Sequence, residues 1–239
     1  MTSLVLIVTK SIKSKARIAG IFYLLIFICA GFAEGYVRTG VLVPGDPSAT
    51  AQNILASEGI FRLGLASDLL AFVFDAIIAV LLYVILKPVS KTLSLLAAAF
   101  RLIAHPAIAS LNMLNHYAAL AVLDGTYLVS QPETLSLFFL DLHSAGYLVA
   151  GVFFGVHLLI LGYLVIKSEL FPKVLGWLLG IAALGYLIES FGSFLVPGHT
   201  DIYTMIVTIT AVVGEISFTL WLLVKGGRSS DLGSKTNQK

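Results

Sequence analysis

Lysine, arginine, proline and glycine punctuate this sequence into six apolar stretches, at about residues 17–37, 62–86, 93–122, 135–166, 174–196 and 203–224. A helix of about 20 mostly apolar residues, rising about 1.5 Å per residue, crosses the hydrocarbon core of a bilayer. There is no water in that core, so a crossing segment must satisfy its backbone polar groups internally, and a helix does so within one segment. The expected fold is therefore all-α, a polytopic transmembrane helical bundle of six spans forming one domain over residues 17–224. Charge supports this: 12% of the residues are charged, against roughly a quarter in soluble domains.

The basic residues give the bundle a direction. Lys10, Lys13, Lys15, Arg17, Lys87, Lys91, Lys167, Lys173, Lys225, Arg228, Lys235 and Lys239 all fall on one side, twelve of the fifteen Lys and Arg. Positive charge collects on the cytoplasmic side, so both termini are expected inside and the chain in the plasma membrane. Residues 1–16 then form a basic cytoplasmic N-terminus rather than a secretory signal, and the Gly/Ser-rich 225–239 a disordered cytoplasmic tail. The short segments "KPVSKT" and "KSELFPK" make spans two and three, and four and five, antiparallel neighbours. In the longest outward connection, Asp46 before Pro47 has the chemistry of an N-cap followed by a first helical residue. A short helix over 47–57 is expected there, as a connector along the interface or a lid. A faint parallel echo links spans one and five: a basic residue, a Gly three later, a Glu near the outer end, then LVPG.

Ionisable residues inside a span are costly and are functional candidates by default. Asp75 lies 12 residues before Lys87, Arg101 10 after Lys91, His157 10 before Lys167, and Glu215 10 before Lys225. Four helices thus place an ionisable group at one depth, and His105, a turn beyond Arg101, extends that level outward. Pairing is expected, with Arg101 gripping Asp75 or Glu215 because a guanidinium stays charged and binds carboxylates bidentately. Such pairing could be an interhelical clasp or a layer that binds a ligand or proton. If span three begins late, Arg101 instead snorkels to the inner interface.

Glu34, Asp68 and Glu189 form a second level further out. Three carboxylates with few cations nearby repel unless protonated, hydrated or occupied by a cation, which fits an outer vestibule or, for Glu34 and Glu189, the headgroup region. Asp68 and Asp75, seven apart, share a helix face and would link the two levels. Asn115, His116, Asp141, His143 and Tyr147 make an outer rim in the interface. Asp141 and His143 are about 200° apart around a helix and do not converge on one metal. Neither HxxxH nor HExxH occurs, so no metal is expected unless separate helices assemble a site. Cys29, the one cysteine, reads as a small buried hydrophobe. No GxSxG, P-loop or dinucleotide fingerprint appears in a credible context, so no cofactor is expected, and the small net charge of +2 without a basic aromatic cluster argues against nucleic acid.

The segments "ARIAGIFYLL", "LVPGD", "FRLGLASDLL", "LLYVILKPV", "LDLHSAGY", "FFGVHLLILGYL", "LGYLIESF" and "GEISFTLWLLVKG" follow one another in order. Together they resemble the bacterial membrane proteins grouped as the domain-of-unknown-function family numbered four-three-eight-six, over about residues 15–226. The resemblance implies an uncharacterised integral membrane protein of this helical class. It brings no assigned substrate, cofactor or catalytic residue.

Three functions fit these residues. The first is binding or transport of a small ligand or proton from the outer side, using the Asp75, Arg101, His105, His157 and Glu215 layer. The second is a structural or regulatory membrane protein whose buried charges only hold helices together. The third is a membrane-embedded acid/base enzyme on an apolar substrate, which needs carboxylate and histidine within hydrogen-bond reach. The lipid bilayer is the one partner common to all three, and the oligomeric state is open.

Overall fold

The structure, a computed structural model, describes residues 2–125 and 127–226. The expected tail lies outside the described residues from 227 onward, with Arg228, Lys235 and Lys239, and so does the side chain of Lys10. Six helices are long and apolar enough to cross a membrane: Ile12–Val41, Glu58–Leu86, Lys91–Ala121, Pro132–Lys167, Lys173–Leu195 and Thr200–Val224. These are the first to sixth spans, and they make the chain a multi-pass membrane protein. The first helix begins at Thr2, so Lys13, Lys15 and Arg17 ride on it instead of preceding it. No Pro or Gly between Thr2 and Arg17 stops the helix earlier.

Each span packs against its sequence neighbours, and the first also packs against the sixth, closing a ring. Every span sends apolar side chains inward, among them Tyr23, Ile78, Ala97, Leu158, Leu179 and Phe218. The outer surface is apolar as well: Ile21, Val73, Leu111, Trp177, Ile209 and Leu220 are each half or more exposed. A helix apolar all round is a helix in lipid. Lys87, Lys91, Lys167, Lys173 and Lys225 mark one end of the ring, called here the lysine end.

At the opposite end the two LVPG sequences close the first and fifth spans alike. Gly45 and Gly198 have φ of 75° and 96°, left-handed values that cost a residue with a Cβ but not glycine. Beyond Gly45 comes the short helix Pro47–Ala56, capped by Asp46, whose Oδ1 accepts from Ala49 N at 2.9 Å. It does more than connect. Ile54 is buried with Val37, Phe61, Leu120 and Leu140, and Asn53 Nδ2 donates to Val41 O at 3.2 Å. The helix therefore caps this end of the ring.

Two spans contain widened turns. The first becomes π-helical over Gly31–Arg38 and the third over Ile103–Ala109. Pro106, inside the second of these, has no N–H to give and its ring crowds the preceding turn, which a wider helix relieves. Such turns often accompany functional positions. Here they carry Glu34 and Arg38 in one span and His105 in the other.

Candidate functional site

The polar residues gather in two places along the ring, and the deeper is built on Arg101. This residue is 1% exposed, so it does not snorkel. Span three begins at Lys91, which carries Arg101 nearly three turns into the bundle, where Asp75 receives it. Arg101 Nη2 donates to Asp75 Oδ1 at 2.5 Å, and Nη1 donates to Tyr23 Oη at 2.8 Å and His157 Nε2 at 3.1 Å. The guanidinium carbon lies 4.7 Å from the Tyr23 ring centroid and 5.3 Å from that of Phe154. His157 Nδ1 is 2.8 Å from the Ala97 carbonyl. A carbonyl only accepts, so Nδ1 carries the proton and Nε2 accepts from Arg101. Both nitrogens of His157 are therefore committed.

The other oxygen of Asp75, Oδ2, accepts from His105 Nδ1 at 2.9 Å. Of the charged layer, Asp75, Arg101, His105 and His157 are thus joined directly. Glu215 stands beside them, within electrostatic range of Arg101, but its bond is to Tyr186, whose Oη donates at 2.9 Å. His105 differs from the rest: its side chain is 24% exposed and, among the described residues, its hydrogen bond to Asp75 is made through Nδ1 and none through Nε2. The cavity beside His157 measures about 10 Å³, room for one water at most.

The second place surrounds Arg38 of the first span, a residue outside the candidate layers of the sequence. Arg38 Nε donates to Glu34 Oε2 and Nη1 to Asp68 Oδ2, each at 2.6 Å. Its guanidinium lies 5.7 Å from the Tyr147 ring centroid. The expected trio of repelling carboxylates is therefore corrected: two share one arginine, and Glu189 is elsewhere, accepting from Thr204 Oγ1 at 3.0 Å. The missed signal was the i,i+4 spacing of Glu34 and Arg38, which sets them on one helical face. Phe72, between Asp68 and Asp75 on the second span, packs with Met113 and Ala150 in an apolar cluster.

The outer rim needs a second correction. Asp141 is exposed, but His116 and His143 are 0% and 2% exposed. Counting residues from the lysines treated this end as open interface, whereas the Pro47–Ala56 helix and Phe61 cover it. His116 Nε2 donates to Phe61 O at 3.1 Å, leaving Nδ1 buried without a partner. Asn112 Nδ2 donates to the His143 carbonyl at 2.7 Å. Gly146 permits this approach, since a Cβ there would come within 2.2 Å of Asn112 Oδ1. His143 Nδ1 is 3.4 Å from the Asn112 carbonyl, and Nε2 is buried and unpartnered. Asn115 Nδ2 donates to Asn112 Oδ1 at 2.9 Å.

A cavity of about 320 Å³ opens between these groups. Glu34, Arg38, Thr39, His143 and Ser144 form its polar side, and Val41, Leu42, Pro44 and Leu140 its apolar side. A larger groove of about 690 Å³ lies between the second and third spans, lined by side chains such as Leu69, Val73, Ile77 and Pro106. Among the described residues no group of three or more His, Cys, Asp or Glu side chains could hold a metal ion. Cys29 is half-buried, not buried as expected. Its carbonyl accepts from Ser67 Oγ at 3.0 Å.

An uncharacterised protein of Archaeoglobus fulgidus is 35% identical over 167 residues, which cover 69% of this chain and 85% of that protein. No solved structure matches. The six apolar helices and the archaeal relative agree with a match that runs over residues 18–226, and the chain belongs to the family described as domain of unknown function DUF4386.

Proposed function

We propose that this protein binds a small ligand reaching it from the outer side of the plasma membrane, with the lysine end and both termini in the cytoplasm. The observation that carries the reading is the 320 Å³ cavity with Glu34, Arg38 and His143 in its wall. Ligand pockets of about 300–1,000 Å³ combine an apolar lining with a few polar groups that fix orientation, and this cavity has both. Binding is preferred to passage because Arg101, Asp75 and His157 lie deeper, bonded to one another with little free space beside them. In this reading that inner layer is the interhelical clasp.

Access can be tested without knowing the ligand. In a Cys29→Ser background, a Ser144→Cys thiol should react with a membrane-impermeant charged thiol reagent added to intact cells. Adding Leu140→Trp to fill the cavity should slow the reaction. A thiol that reacts only in inside-out vesicles would reverse the orientation, and one that reacts from neither side would remove the reading.

One contact favours a second reading. Asp75 orients His105 and leaves Nε2 free, an arrangement able to serve as a general base on an apolar substrate. Mass spectrometry of membrane lipids from cells carrying wild type or His105→Gln decides it; identical lipid profiles would discard it.

A further inference from the structure

The lysine end carries charge that the bundle itself does not neutralise. Lys87, Lys91, Lys167, Lys173 and Lys225 are all exposed there, and among the described residues none of the five forms an ion pair. Glu169, exposed in the loop between Lys167 and Lys173, is the one acid among the described residues of this end. Such an excess of cations attracts an anionic partner, and the height at which they stand selects it. Four of the five have an aromatic residue one turn toward the bilayer: Tyr83 for Lys87, Tyr163 for Lys167, Trp177 for Lys173 and Trp221 for Lys225. Lys87 Nζ lies 6.0 Å from the Tyr83 ring centroid and Lys167 Nζ 5.6 Å from that of Tyr163. Tyrosine and tryptophan rings settle at the level of the lipid headgroups, and a lysine stem lying over such a ring carries its ammonium to the phosphates. Tyr163 and Trp177 are 49% and 64% exposed on the outward, lipid-facing surface. The spans that bear them meet backbone to backbone beside them, since a Cβ on Gly162 would come within 2.6 Å of the Gly176 carbonyl oxygen. Lys167 and Lys173, each one turn beyond its ring, thus stand over the lipid-facing perimeter of the ring of helices.

Independently of the cavity, we propose that the lysine end binds anionic phospholipids of the adjoining leaflet. Lys167 and Lys173 meet the headgroup phosphate while the acyl chain lies along Tyr163 and Trp177. A zwitterionic phosphatidylcholine offers the same phosphate, but its own choline cancels the charge that the lysines would meet.

Trp177 and Trp221 are the two tryptophans of the chain, and both lie at this end, so the protein's own fluorescence reports the lipid there. The full chain is reconstituted in phosphatidylcholine vesicles with rising fractions of brominated phosphatidylglycerol or brominated phosphatidylcholine, and the quenching by the two is compared. Phosphatidylglycerol should associate about fivefold more strongly, the effect of roughly one lysine at the surface. The preference should vanish near about 1 M salt, where the Debye length falls to about 3 Å. Lys167→Gln together with Lys173→Gln should remove most of it, with the unfolding midpoint confirming a folded protein, whereas Lys167→Arg with Lys173→Arg should keep it. Equal quenching by the two lipids in the wild type overturns the proposal and leaves the basic face to a soluble acidic partner. A wild-type preference that high salt does not reduce overturns it as well, whether or not the glutamine variant folds. A preference that the folded glutamine variant retains in full overturns the assignment to Lys167 and Lys173.

Discussion

Arg101 and Arg38 are two buried arginines doing the same thing in different surroundings. Each grips an aspartate of the second span, and those aspartates are seven residues apart on one face. Around Arg101 the bonded partners are themselves committed, Asp75 through both oxygens, His157 through both nitrogens and Tyr23 through its hydroxyl. The unpaired nitrogens, Arg101 Nε and His105 Nε2, have no sizeable cavity beside Arg101 to face among the described residues. Around Arg38 the carboxylate of Glu34 is largely exposed, His143 keeps an unpaired nitrogen, and a cavity opens beside them. A closed network fixes helices in place. An open one leaves groups for something else to meet, so burial of charge is not by itself the mark of a site.

The comparison can be broken by substitution. Arg101→Met leaves Asp75 buried without its cation and should cost about 3–5 kcal/mol, read as a large drop in folded yield and in the unfolding midpoint in detergent. Pairing it with Asp75→Leu should recover much of that loss, because an apolar pair often replaces a buried ion pair without penalty. Failure to recover would mean the layer does more than hold helices. Arg38→Met should cost less, about 1–3 kcal/mol, since exposed Glu34 regains water. If it costs as much as Arg101→Met, the distinction between closed and open networks falls. Asn112→Ala removes the bond to the His143 carbonyl and should cost roughly 1–2 kcal/mol while shifting reactivity of a Ser144→Cys thiol. Asp46→Ala loses only a helix cap, about 1 kcal/mol, and should leave that reactivity almost unchanged.

What the sequence revealed and what it hid follow from one assumption. Depth counted from lysines needs only helical rise, which is constant, so Asp75, Arg101 and His157 are read at one level, and they meet. The same counting treats the bilayer as the sole cover at the far end. It therefore assigned His116 and His143 to open interface, although Phe61 and the Pro47–Ala56 helix enclose them. Arg38 escapes depth counting because its role shows only as the i,i+4 partner of Glu34. Rotation about the helix axis decides such partners. The π turn over Gly31–Arg38 alters that rotation, and no residue in it announces one. In the third span the turn has a cause in the sequence, since Pro106 forces the helix to yield.

The closed ring also bears on biogenesis. Chains are made from the N-terminus onward, yet the first span rests against the last, with Arg17 Nη2 reaching the Val224 carbonyl at 3.5 Å and Tyr23 edge-on to Phe218. The Arg101 clasp draws on spans one to four alone, whereas the Tyr186–Glu215 bond and the final closure await the sixth. A nascent four-helix assembly, already pinned by its own arginine, must therefore stay open to lipid along one seam until translation delivers the helix that seals it.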